Sequence, residues 1–99
     1  MNKYESVIIV NPNLEEESVK NLIKKFSDLI NTDGTVASVE EMGKRKVGKK
    51  KLAYEVKKNK EGYYVIINFE AQPELIVELE RNYRITDEVM KFIVIKEEV

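Results

Sequence analysis

Apolar residues recur along this chain in two rhythms, one of period two and one of period 3.6. Tyr4-Glu5-Ser6-Val7-Ile8-Ile9-Val10 is a β-branched run that predicts a strand. Asn11-Pro12-Asn13 breaks it. Apolar residues then fall at Val19, Leu22, Ile23, Phe26, Leu29 and Ile30, which is helical spacing on one face. Asn13 with Glu16 three residues on predicts an N-cap and its reciprocal acid. Glu15, Glu16 and Glu17 suit the positive end of that helix, and Asp33-Gly34 closes it.

Thr35 to Val39 predicts a second strand, and its alternation slips between Val36 and Val39, the sign of a bulge. A charged stretch with Gly43 and Gly48 follows. Lys51 to Val56 returns to strand-like alternation, and Asn59-Lys60-Glu61-Gly62 predicts a turn. Tyr63 to Phe69 is the clearest strand of the chain. Pro73 fits the first position of a second helix, where its missing N–H costs nothing. Leu75, Ile76, Leu79 and Tyr83 form that helix's apolar face, with Arg81 and Arg84 toward its negative end. Val89 to Ile95 predicts the last strand.

The order β-α-β-β-α-β in 99 residues predicts one α+β domain over residues 1–99. Two split β-α-β units then give a ferredoxin-like fold, a four-stranded antiparallel sheet with two helices on one face. Two helices cover only one side of such a sheet. The other side normally meets water, and its strands then alternate apolar with polar. Here Val7 to Val10, Val65 to Ile67 and Ile93 to Ile95 are apolar on both faces. The open face should carry Val7 and Ile9 with side chains from the other two strands. A contiguous apolar patch of that kind marks a protein interface more often than it marks free surface. Homodimerisation suits the pattern as well as a different partner does.

Composition narrows the function. The chain is 42% hydrophobic and 35% charged, which is globular. No apolar run approaches the roughly 20 residues of a membrane span. The first residues lack the apolar stretch of a signal peptide, so the expected location is the cytoplasm. Cysteine and histidine are both absent. That excludes disulfides, thiolate nucleophiles and Cys/His zinc sites, and removes the side chain best suited to proton transfer near neutral pH. Glu40-Glu41 and Glu97-Glu98 are neighbours in strand-like segments and point to opposite faces, so neither makes an acid/base pair. No metal-ligand spacing is present. The expectation is a protein that is not an enzyme and has no cofactor.

Charge adds the strongest functional signal. Lys44, Arg45, Lys46, Lys49, Lys50, Lys51, Lys57, Lys58 and Lys60 stand against one acid, Glu55. That stretch is +8 in a chain of net −1, which leaves −9 on the remainder. A basic arm at about 43–60 results, and clustered cations of this kind favour nucleic acid through counterion release. Gly43 to Lys49 has the spacing of a Walker loop, but Lys50 stands where the magnesium-binding hydroxyl belongs. Tyr63 and Tyr64 point to opposite faces, so they do not form the paired base-stacking aromatics of RNA-recognition domains. The expected phosphate contacts are Lys49, Lys50 and Lys51 first, with Lys44, Arg45 and Lys46 second.

Several features in order resemble one family over essentially the whole chain. Tyr4-Glu5 leads a strand, followed by Asn11-Pro12-Asn13-Leu14 and Val39-Glu40-Glu41. Leu52-Ala53-Tyr54-Glu55-Val56 comes after the basic run, and then Glu61-Gly62-Tyr63-Tyr64-Val65. The chain in these respects resembles the bacterial small-subunit ribosomal protein S-six family. The resemblance implies the same β-α-β-β-α-β fold and no enzymatic activity. It further implies pairing with ribosomal protein S-eighteen and docking of the pair on the central domain of small-subunit ribosomal RNA. The chain departs from the family pattern at Lys44 to Gly48, which reads as an insertion between Gly43 and the basic residues before Leu52. The alternative is a stand-alone interaction or regulatory module of the same fold without RNA binding, since one fold hosts many functions.

Overall fold

The computed structural model of the chain describes residues 1–46 and 61–97. Its elements are β1 (Asn2–Val10), α1 (Glu16–Asn31), β2 (Gly34–Lys46), β3 (Glu61–Ala71), α2 (Pro73–Ile85) and β4 (Val89–Lys96). The strands form one sheet in the order β2-β3-β1-β4, with every neighbouring pair antiparallel. This is the ferredoxin-like arrangement expected from the element order. The strand-like alternation at Lys51 to Val56 lies outside the described residues, as do Asn59 and Lys60 of the expected turn. Glu61 and Gly62 already belong to β3.

Register explains why the core sits where it does. Opposite residues of adjacent strands share a face, so Tyr4, Ser6, Ile8 and Val10 of β1 face the same way as Phe69, Ile67, Val65 and Tyr63 of β3. Val94 and Phe92 of β4 join them opposite Ser6 and Ile8. Against this face pack Val19, Phe26 and Ile30 of α1 and Leu75, Leu79 and Tyr83 of α2, all buried. Each such side chain stabilises the fold by about 1.5–3 kcal/mol relative to exposure. The rings of Phe26, Tyr83 and Phe92 meet at centroid distances of 4.7 and 5.2 Å, which locks both helices onto β4. One polar pair interrupts the core: Ser6 Oγ and Tyr83 Oη are 2.7 Å apart, and both residues are fully buried.

Local chemistry sets the ends of the elements, with one difference from the sequence expectation. Asn13 does not cap α1. Its own N–H donates to Asn11 Oδ1 at 2.8 Å, an Asx turn that leaves Glu15 as the capping residue without a side-chain bond. Pro73 begins α2 as expected. At the end of α1, the Thr32 hydroxyl donates to the Leu29 carbonyl at 2.6 Å. Gly34 then opens β2 where no Cβ fits, because one would run into the Glu70 carbonyl and Ala71. The bulge expected between Val36 and Val39 is present, with Ala37 as the extra residue between Val36 and Ser38.

Candidate partner face and nucleic-acid segment

The same register that fills the core face defines its reverse. Glu5, Val7 and Ile9 of β1 lie on the uncovered face, opposite Asn68, Ile66 and Tyr64 of β3 and Ile95, Ile93 and Lys91 of β4. Val7, Ile9, Ile66, Ile93 and Ile95 therefore form a continuous aliphatic surface across three strands, with Tyr64 at one end. No helix among the described residues lies over it. Ile93 is 53% exposed and Ile95 45% exposed, high for isoleucines in a strand. Ile9 was expected on this face and stands there, yet it is only 9% exposed because it lies on a central strand between Tyr64 and Lys91. Val7 is half-buried. The outward surface is thus carried mainly by β4, and the signal for it in the sequence is the doubly apolar run Phe92 to Ile95.

The rim of the face is polar. Asn68 Nδ2 donates to Ser38 Oγ at 3.1 Å, tying β3 to β2 on this side. Glu5, Glu40 and Glu70 stand on the same face by register, opposite Ile95, Ile66 and Thr35. An apolar centre with a charged and amide rim is the anatomy of a protein interface.

The basic segment is rooted at one end of this sheet. Lys44, Arg45 and Lys46 continue β2, opposite Tyr63, Gly62 and Glu61. Lys49, Lys50 and Lys51 lie outside the described residues. So do Val47 and Gly48, so only the first three residues of the expected insertion are described; they extend a strand. Just before them β2 carries a second bulge, between Glu41 and Gly43. Gly43 there has φ of +85°, a conformation that L side chains rarely adopt. The Tyr63 hydroxyl donates to Glu41 Oε1 at 2.7 Å. That bond, partial burial and the nearby charges of Glu41 and Glu16 push the Tyr63 hydroxyl above the usual tyrosine pKa, so it stays a donor at physiological pH.

Among the described residues, no group of three or more His, Cys, Asp or Glu is placed to hold a metal. No helix among them is long and apolar enough to cross a membrane.

Comparison with known proteins agrees with this geometry. Residues 3–96 match the family model described as Ribosomal protein S6. The small ribosomal subunit protein bS6 of Clostridium perfringens is 50% identical over 99 residues, covering 99% of each chain. Its counterpart in Clostridium beijerinckii is 49% identical over 100 residues and covers 100% of each. Among solved structures, the 30S ribosomal protein S6 of Thermotoga maritima superposes with a TM-score of 0.81 at 36% identity, covering 97% of this chain and 87% of that one.

Proposed function

The chain belongs to the ribosomal protein S6 family of the small ribosomal subunit, and on that premise we propose that it binds the central domain of small-subunit ribosomal RNA together with ribosomal protein S-eighteen. It is a structural constituent of the cytoplasmic ribosome and not an enzyme. The observation that carries the proposal is a juxtaposition. β2 runs into the nine-cation segment at one edge of a sheet whose reverse face is aliphatic and is covered by no helix among the described residues. The two features suit two partners, a polyanion and a protein.

Phosphate contacts are assigned to Lys49, Lys50 and Lys51, with Lys44, Arg45 and Lys46 next. Their role is electrostatic positioning on folded RNA; counterion release supplies affinity without reading bases. Val7 and Ile9, with Ile66, Ile93 and Ile95 beside them, are assigned to the protein partner. Burial of these side chains removes apolar surface from water, at about 25 cal/mol per Å².

Neutralising about six phosphates gives a slope of log affinity against log salt of roughly −4 to −5. Changing Lys49, Lys50 and Lys51 together to Glu is expected to weaken binding to every RNA sequence tested while leaving the thermal transition in place. Unchanged RNA affinity in that variant contradicts the assignment. A stable RNA-free homodimer at nanomolar concentration, with no salt-dependent RNA binding, points instead to a stand-alone interaction module.

A further inference from the structure

The second bulge of β2 decides the register of Lys44, Arg45 and Lys46. Before it, Glu41 stands opposite Val65; after it, Gly43 stands opposite Tyr64. Met42 is the extra residue. If Met42 were instead paired in a regular ladder, Lys44 would stand opposite Gly62 and Arg45 opposite Glu61, one place along from where they are. A slip of one changes every later pairing of β2 with β3. A bulge also bends its strand and increases the local twist.

Two observations show that the bulge is held rather than incidental. Gly43 sits at φ +85°, and a Cβ added there meets nothing within 4 Å. The demand for glycine is thus conformational and not steric. Independently, the Tyr63–Glu41 hydrogen bond crosses the bulge. Glu41 precedes the extra residue, whereas Tyr63 stands opposite Lys44, which follows it. A side-chain bond of this span fixes the offset between the two strands on both sides of the irregularity.

We propose that Gly43 and the Tyr63–Glu41 bond are positioning residues for RNA binding, which set the register in which Lys44, Arg45 and Lys46 meet phosphates. The inference rests on the RNA-binding function proposed above. It adds that cation count alone is insufficient and that the bulge must be in place.

The test is a salt series on three variants, with a central-domain RNA fragment as probe and S-eighteen present. In Gly43→Val the strained φ is expected to drive the bulge out. Affinity should fall about tenfold at moderate salt, and the salt slope should flatten by roughly 1–2 as phosphate contacts are lost, although every cation remains. Gly43→Asn should keep wild-type affinity and slope, because Asn is the side chain that best tolerates positive φ. Tyr63→Phe, which leaves the core untouched, should bind about threefold more weakly with a shallower slope. A merely structural role would lower the thermal transition of Gly43→Val and leave the slope unaltered. A wild-type slope in both Gly43→Val and Tyr63→Phe overturns the inference and spares the function. Absence of salt-dependent binding by the wild-type chain overturns both.

Discussion

The two faces of the sheet are built from nearly the same residues and end in opposite conditions. On the helix side Ile8, Val65, Ile67 and Phe69 are at most 1% exposed. On the other side Ile93 and Ile95, one strand away, are about half exposed. Side-chain chemistry does not separate them, because isoleucine occurs on both. The difference is the presence of α1 and α2. Apolar area counts toward folding only where something covers it. On the helix face that area stabilises the domain. On the open face no described helix covers Ile93 and Ile95, and this is the area assigned above to the proposed partner.

Paired truncations sharpen this contrast most. Ile67→Ala removes a fully buried side chain and is expected to cost about 2–5 kcal/mol in urea unfolding. Ile93→Ala, the same chemical change on the other face, should stay within about 0.5 kcal/mol. Comparable losses at both positions would mean that the open face is part of the folding core.

Next in size is the polar pair inside the core. Tyr83→Phe leaves Ser6 Oγ buried without its partner, at about 1–3 kcal/mol. Adding Ser6→Ala to it should recover much of that loss, because no orphaned hydroxyl remains. Burial pushes the Tyr83 hydroxyl up to about 12, opposed by the Ser6 hydrogen bond and aided by the charge of Glu80. The folded chain therefore holds this proton after the unfolded chain has released it near pH 10. The associated stability is fully present below pH 10 and disappears as pH rises through 12, by roughly 2–3 kcal/mol. Unfolding midpoints between pH 9 and 12 check this, and Tyr83→Phe should remove that part of the decline.

The smallest expected effect on stability is the most informative about function. Ile93→Lys and Ile95→Lys place charges on exposed positions and should shift the folding free energy by no more than about 0.5 kcal/mol. Association with S-eighteen, followed by calorimetry, should nonetheless weaken tenfold or more, because a buried unpaired charge is costly. Normal association in both variants would move the partner off this face.

Much of this was legible in the sequence, for identifiable reasons. β1, β3 and both helices carry long apolar runs of clear period, and register then follows from matching their faces. The open face could be read from runs that are apolar on successive residues, such as Val7 to Val10. The first bulge showed as a slipped alternation at Val36 to Val39. The second did not, because Glu40 to Lys46 has only Met42 as an apolar residue to mark a change of face. Ile9 was placed on the right face, but its near-complete burial depends on Tyr64 and Lys91, which are neighbours only once strand order is known. The Asn13 cap gave way to an Asx turn, in which Asn11 Oδ1 accepts the N–H of Asn13 and the helix begins only at Glu16.

The measurement that tests the account most directly is a titration of a small-subunit RNA central-domain fragment with the chain, with and without S-eighteen, across a salt series. The account requires tight binding that appears only with the partner present and weakens with a slope of roughly −4 to −5. Equal binding with and without S-eighteen, or binding indifferent to salt, would contradict it.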